Sequence, residues 1–219
     1  MTQLPEDIYA EQEGVSADAL ANMGPLAAMA GIWEGVKGLD VNPYYDGERR
    51  QPYIEHMTLE PIDPQSNGPQ LLYGLRYHLH IVKPGEVETY HDQVGYWLWE
   101  PATGNLFHSL TIPRAQIVLA VGNAPADAKT FEVRAERGST TNGICSGPFL
   151  DAAFRTDSFL MRVTINDDGT WSYFEDTVMT VKGRSEPFHH TDRNTMRRVA
   201  PAGENPLTVA GVVIKADDD

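Results

Sequence analysis

Two adjacent histidines near the carboxyl end of the chain are the first candidates for chemistry. His189 and His190 lie in the polar, strand-like segment SEPFHHTDRNTMRR, residues 185–198. Neighbouring side chains of a strand point to opposite faces. The alternation puts His190 on the face of Phe188 and Met196, and His189 on the face of the arginines. Because Phe and Met prefer cover and Arg prefers water, the pattern predicts that His190 faces inward, where a neutral imidazole is a common metal ligand.

A second group of histidines can form a metal site on one hairpin. His78 and His80 share a strand face by the period of two. A two-residue loop at Pro84-Gly85 would place His91 opposite His78 and Thr89 opposite His80. Three imidazoles on one face suit zinc, iron or copper. A register slip of one residue would destroy the arrangement, so surface histidines are the alternative interpretation.

The elements that must position these residues are almost all strands. About ten strand-like segments follow Ile32, and turn sequences such as PATGN, GNAPAD and NDDGT separate them. Residues 16–31 predict a short helix with Ser16 as its N-cap, broken at Gly24-Pro25. This order predicts an all-β protein: an antiparallel up-and-down barrel of about ten strands, with a short N-terminal helical segment and an internal cavity.

The chain divides into three parts on this interpretation. An acidic leader and short helix occupy residues 1–25, the barrel domain residues 26–199, and a tail that can add an edge strand residues 200–219. Two long connections, residues 39–50 and 137–156, do not fit a minimal barrel and are interpreted as lids over one mouth.

Composition excludes several classes of function. The chain has 17 Lys and Arg against 31 Asp and Glu, a formal net charge of −14, so we expect no nucleic-acid partner. A single cysteine, Cys145, excludes an internal disulfide and a Cys-rich zinc site. Neither an apolar run of roughly 20 residues nor a basic signal-peptide start is present, so we expect a cytoplasmic protein without a membrane partner.

Three segments together resemble a known family. GIWEG (31–35), YHDQVGYWLWEPATGNLFHSLTIPRAQIVLAVG (90–122) and WSYFEDTVMTV followed by HHTDRNTMRRV (171–199) occur in this order. They resemble the opening, central and closing motifs of the nitrobindin-like heme-binding β-barrels, distant relatives of lipocalins and fatty-acid-binding proteins. The resemblance covers roughly residues 26–199.

The resemblance implies a barrel that holds one heme b at its mouth, with iron bound by a histidine of the last strand. That ligand falls on His190 when counted from the MRR ending and on His189 when counted from Met179, which matches a heme-contacting methionine. We favour His190. His91 matches a second heme-side histidine, able to donate a hydrogen bond to a distal ligand, and Ile112 matches a pocket-lining position. Nitric oxide binding and isomerisation of peroxynitrite to nitrate are the implied activities.

A carrier without metal is the alternative function. Tyr73, Trp97, Trp99 and Phe107 are aromatic residues that can line a pocket for a lipid or another small apolar ligand. The mononuclear metal site from His78, His80 and His91 is a lesser alternative. The oligomeric state stays open, since a long exposed barrel strand can pair with a second copy in a homodimer.

Overall fold

Long antiparallel strands make up most of the protein. The computed structural model describes residues 6–205. Alternating burial along most strands shows that one face of the sheet is covered and the other faces water. The strands are β1 (Gly31–Tyr44), β2 (Gly47–Pro61), β3 (Gln65–Asn67), β4 (Gln70–Val82), β5 (Thr89–Trp99), β6 (Asn105–Ile112), β7 (Gln116–Asn123), β8 (Thr130–Arg137), β9 (Gly143–Ser146), β10 (Phe154–Ile165), β11 (Trp171–Val181) and β12 (Phe188–Ala200).

Pairing of β2 with β4 closes the sheet into a barrel. The strand order is β2-β1-β12-β11-β10-β8-β9-β7-β6-β5-β4-β3, and the β2–β4 ladder joins its two sides. Eleven strands form the closed barrel, while β3 pairs with β4 beside it. The short β8–β9 contact is parallel, and the other ladders in the described part of the chain are antiparallel. The predicted all-β barrel of about ten strands is confirmed.

The two long connections both contribute to the wall of an internal cavity. Residues 39–50 form the tip of the β1–β2 hairpin. Residues 137–156 contain β9 and a short helix, α2 (Pro148–Ala153). Asn42 from the hairpin tip and Leu150 from α2 line the same cavity. The segments interpreted as lids therefore lie at one end of the barrel.

The N-terminal helical segment is divided where the sequence predicts. Helix α1 (Ala19–Asn22) is followed by a 3₁₀ helix (Gly24–Met29), so the break falls at Gly24-Pro25. The predicted N-cap is wrong, because Asp18 and not Ser16 accepts the hydrogen bond from a backbone N–H of the first turn.

This segment packs onto the buried core of the barrel. Leu26 and Met29 are fully buried. Trp33 of β1 donates its indole N–H to the carbonyl oxygen of Met29 at 2.7 Å, which ties the 3₁₀ helix to the first strand.

The β4–β5 hairpin does not have the predicted register. His80 pairs with Asp92 and His78 with Val94, while His91 pairs with Ile81 after an irregularity between Ile81 and Val82. The connection spans residues 83–88 rather than two residues, so the pairing has slipped. His78 and His80 lie on the outer face and His91 lines the cavity. The metal site from these three histidines is therefore wrong.

The tail and the domain boundaries are tested only in part. The barrel strands run from Gly31 to Ala200, and the suggested edge strand in LTVAGVVIKADDD lies outside the described residues. The three-part division stays a prediction. Within residues 6–205, no helix is long and apolar enough to cross a membrane.

Substitution of Gly95 tests the close packing of β5 against β6. A Cβ at this position would lie 1.9 Å from the backbone carbonyl oxygen of Ser109. We expect Gly95→Ala to lower the free energy of unfolding by about 1–3 kcal/mol, because overpacking forces the strands apart. Urea denaturation measures the change. Gly203→Ala is the control, since nothing lies within 4 Å of its Cβ position; equal effects of the two variants would contradict the packing argument.

Candidate functional site

A cavity of about 420 Å³ lies inside the barrel, within the range of about 300–1,000 Å³ that is usual for ligand and cofactor sites. Strands β6, β7 and β10 give it a mainly apolar wall. Strands β1, β12 and β11, which are consecutive in the strand order and adjoin β10, give it a mainly polar wall. The apolar wall includes Leu110, Ile112, Val118, Phe154, Phe159 and Met161; the polar wall includes Asp40, Tyr173, Glu175, Thr177, His190 and Asp192.

The structure places the two adjacent histidines on opposite faces of β12. His190 lines the cavity, and its side chain is 30% exposed. His189 is 64% exposed on the outside of the barrel, where its Nδ1 lies 2.8 Å from a carboxylate oxygen of Asp176. Of these two histidines, only His190 can therefore contact a ligand in the cavity.

His190 is held by a carboxylate from the neighbouring strand. Its Nε2 lies 2.9 Å from Oδ1 of Asp40 on β1 and 3.4 Å from Oδ2 of Asp192 on β12. In a neutral ring with the proton on Nε2, the lone pair is on Nδ1. The described residues supply no hydrogen-bond partner for that nitrogen, so it is available to a ligand.

The Asp40 carboxylate has three hydrogen-bond partners in the cavity, His190, Tyr90 and Asn42. Its Oδ2 accepts hydrogen bonds from the Tyr90 hydroxyl and from Asn42. Burial raises the pKa of Asp40, but the hydrogen bonds from His190, Tyr90 and Asn42 outweigh burial and leave the pKa below its usual value. Burial lowers the pKa of His190, yet the hydrogen bond to Asp40 and the nearby charge of Asp192 leave it raised.

His91 lines the same cavity at the end of a chain of hydrogen bonds. Gln93 donates its amide N–H to the Tyr77 hydroxyl at 2.6 Å, so its Oε1 accepts from Nε2 of His91 at 3.3 Å. The Tyr77 hydroxyl also forms a hydrogen bond with Nε2 of His108 at 3.0 Å. Burial lowers the pKa of His91, which keeps its ring neutral. With Nε2 bonded to the Gln93 amide, a neutral His91 ring has its lone pair on Nδ1. Its hydrogen bond to a distal ligand stays a prediction.

The other two candidates from the sequence also reach the cavity. Met179 on β11 and Ile112 at the end of β6 line it together with His91 and His190. These four residues come from four strands, and the fold brings them to one space.

A second polar group lies deeper in the barrel. Tyr173 and Asn194 both donate to Oε2 of Glu55, at 2.8 Å each. The other oxygen, Oε1, is buried without a hydrogen-bond partner, and so are Nδ1 of His108 and Nε1 of Trp171. Unsatisfied buried polar atoms are rare, and all three residues line the cavity, so they mark places where a ligand or water can bind.

Three further carboxyl groups of the cavity resist ionisation. Burial raises the pKa of Glu55 to about 7 and, with help from nearby acids, that of Glu175 to about 7. Burial also raises the pKa of Asp192 well above its usual value, despite the opposing charge of His190. The cavity therefore carries more acid than its own basic groups can neutralise.

Sequence reasoning missed most of this acidic wall, although strand parity carries part of the signal. Glu175 is four residues before Met179 on β11 and so shares its face. Glu55 lies two residues from each of the buried Tyr53 and Met57 on β2 and so shares their face. Asp40 has no such signal, because a register shift between Gly35 and Gly38 changes which residues of β1 face inward.

The aromatic residues suggested for a carrier do not form one pocket. Trp97 lines the cavity and stacks on His108, with ring centroids 4.0 Å apart. Tyr73 and Trp99 are buried in the core outside the cavity lining. Phe107 points to the opposite face from the buried Leu106 and His108, so its proposed pocket role is wrong.

Comparison with known proteins identifies the family. A sequence model described as the THAP4-like, heme-binding beta-barrel domain matches residues 22–198. The chain belongs to this family of heme-binding β-barrel domains. The match confirms the resemblance to nitrobindin-like barrels and with it heme as the family's cofactor.

A solved structure shares the fold of this THAP4-like barrel. Rv2717c from M. tuberculosis superposes with a TM-score of 0.56 at 20% sequence identity, covering 84% of this chain and 99% of that chain. A search of curated proteins gives no significant match.

The cavity of the THAP4-like domain fits heme in three respects. An apolar wall can cover a porphyrin face, His190 offers a ring nitrogen with a free lone pair, and Arg114 lines the cavity from an exposed position where a propionate can reach it. The acidic groups of the opposite wall are not needed by an apolar macrocycle. They require a separate explanation.

Replacement of Glu55 tests the strain of the buried acid. The Glu55 carboxyl has a pKa of about 4.5 in the unfolded chain and about 7 in the folded protein. Between these values the unfolded chain has lost this proton and the folded protein still holds it, so the free energy of unfolding falls as pH rises from about 4.5 to 7. The loss amounts to about 3 kcal/mol at 1.36 kcal/mol per pKa unit. We expect Glu55→Gln to remove this part of the pH dependence and to be more stable than the original chain at pH 8.

Urea denaturation at pH 5 and pH 8 measures the effect. The control is Glu60→Gln, the same change at an exposed residue that pairs with Arg76 on the outside. If Glu55→Gln loses as much stability between pH 5 and pH 8 as the original chain, Glu55 is not the strained group.

Proposed function

We propose that this domain binds heme b inside the barrel through His190 and that the bound heme takes up nitric oxide. The placement of His190 carries the proposal: it faces the cavity with an unpaired ring nitrogen, while His189 faces water. Bound heme supplies an iron centre with a free coordination position for small nitrogen and oxygen ligands.

The residues around His190 orient it for this role. Asp40 fixes the ring by accepting from Nε2, in the way that carboxylates commonly position ligating histidines. Met179 and Ile112 supply apolar contacts, and His91 lies in the same cavity as a neutral acceptor. The chain of Gln93, Tyr77 and His108 holds the His91 ring in one tautomer.

Charge favours nitric oxide over peroxynitrite as the ligand. Nitric oxide is neutral and enters an acidic cavity without electrostatic cost. Peroxynitrite is an anion, and both the net charge of −14 and the Asp40 carboxylate, whose pKa stays low, repel it. We therefore propose isomerisation of peroxynitrite to nitrate as a slower activity of the same site, in which an O–O bond breaks and an N–O bond forms within one molecule.

Hemin titration followed by absorbance tests the ligand. We expect a saturable Soret band with the original chain and a binding constant weaker by at least about tenfold in His190→Ala, because the proposed iron ligand is lost. His189→Ala is the matched control, one residue away and outside the cavity, and should bind hemin as the original chain does. Equal Soret bands in all three proteins would overturn the assignment of His190.

The second activity has its own measurement. Stopped-flow absorbance of peroxynitrite, with nitrate yield as the product assay, should show faster decay with hemin-loaded protein than with apoprotein. Because salt screens the repulsion of an anion, we expect the rate constant to rise with ionic strength, while nitric oxide binding stays unchanged. A decay rate equal to that of apoprotein would contradict the proposed isomerisation and would not affect the proposal of nitric oxide binding.

A further inference from the structure

The acidic wall of the cavity contains a compact group of three potential metal ligands. Asp40, His190 and Asp192 each offer one ligand atom, and these atoms lie within 4.8 Å of one another. They come from the adjacent strands β1 and β12, where Asp40 pairs directly with Asp192 in the antiparallel ladder. The group is therefore fixed by backbone pairing rather than by a flexible loop.

The two distances from His190 are close to those of a metal site. Ligand atoms at about 2.0–2.1 Å from a tetrahedral ion lie about 3.3 Å from each other. Nε2 of His190 is 2.9 Å from Oδ1 of Asp40 and 3.4 Å from Oδ2 of Asp192. Exchange of the Nε2 proton for a cation would therefore need shifts of only a few tenths of an ångström in the two His190 distances, and the Asp40 and Asp192 oxygens already lie within 4.8 Å of each other.

Carboxyl groups with few partners surround the group. Glu55 and Glu175 line the same cavity and act electrostatically on Asp192. Oε1 of the fully buried Glu55 has no hydrogen-bond partner, and Asp192 accepts no hydrogen bond from the described residues beyond its contact with His190. Buried carboxylates are normally paired or bound to metals, and here unpaired acids adjoin the group, so a cation could bind in place of their protons.

We propose that Asp40, His190 and Asp192 bind a divalent transition-metal ion in the heme-free protein. One imidazole and two carboxylates suit Zn²⁺, Fe²⁺ and Mn²⁺, with Zn²⁺ bound most tightly of the three. The remaining coordination positions face the cavity, so water or a small ligand can complete the shell. The inference goes beyond heme binding and does not depend on it.

Isothermal titration of heme-free protein with ZnCl₂ tests the site. Exposed pairs such as His78–Asp92 and His189–Asp176 can also attract zinc, so His78→Ala/His189→Ala serves as the background. We expect one Zn²⁺ per chain, and at least about tenfold weaker binding when Asp192→Asn is added, since even loss of an outer partner costs that much. Asp176→Asn makes the same change outside the cavity and should leave the affinity unaltered.

The variants allow the outcome to be assigned. Asn has the shape of Asp, and Asp192 has few partners, so Asp192→Asn should fold; far-ultraviolet circular dichroism checks this. Asp40→Asn, on the other strand, must weaken zinc binding as well. If either variant that folds binds Zn²⁺ as tightly as the background, or if the background binds none, the metal site is wrong and the group serves only to hold His190.

The same variants separate this inference from the heme proposal. Asp192 contacts the proposed iron ligand but does not bind iron itself, so Asp192→Asn should still give a Soret band on hemin titration, with hemin affinity weakened by the loss of an outer partner, while it loses zinc. A protein that binds Zn²⁺ through Asp192 and binds no hemin would support the metal site and refute the heme function.

Discussion

Closure of the sheet through the β2–β4 ladder is the constraint on which the rest of the structure depends. Once the sheet has no free edge on that side, every second side chain of the strands must face an enclosed interior. One end of that interior is filled by a packed core around Trp33 and Trp171, whose rings meet edge to face with centroids 5.9 Å apart. The other end is left with space, and its polar side chains must find partners among themselves.

The hydrogen-bond networks follow from this enclosure. Tyr53, Tyr173, Glu55 and Asn194 form one connected group, since the two tyrosine hydroxyls lie 2.8 Å apart and Tyr173 reaches Glu55. In a medium of low dielectric constant such groups are rigid when satisfied and costly when not. The unsatisfied atoms that remain are therefore informative. A fold that keeps them gives up stability, which proteins commonly do at functional sites.

Much of this architecture could be predicted from the sequence because alternation is a local signal. Parity alone turns His190 inward, and the structure places it there. The β4–β5 register could not be predicted, since it depends on the conformation of residues 83–88 and an irregularity beside Ile81. Asp40 was missed for a similar reason: a shift in β1 reverses the parity that its neighbours suggest. The alternation of residue types predicts which side chains share a face of one strand, whereas bulges and loop conformations determine which residues of neighbouring strands lie side by side.

The cavity combines two chemistries that are usually found apart. Its apolar wall favours the face of a porphyrin, and its acidic wall favours a small hard cation, yet both proposed occupants would use the same imidazole. His190 presents Nε2 to the carboxylates and leaves Nδ1 free, so the two nitrogens face different partners. Which ligand occupies the cavity then depends on whose binding free energy more fully offsets the cost of desolvation. A divalent ion neutralises acids that otherwise hold protons, whereas heme gains from apolar contact and leaves those acids as they are. The acidic wall is thus the feature that distinguishes this barrel's interior from a purely apolar heme pocket.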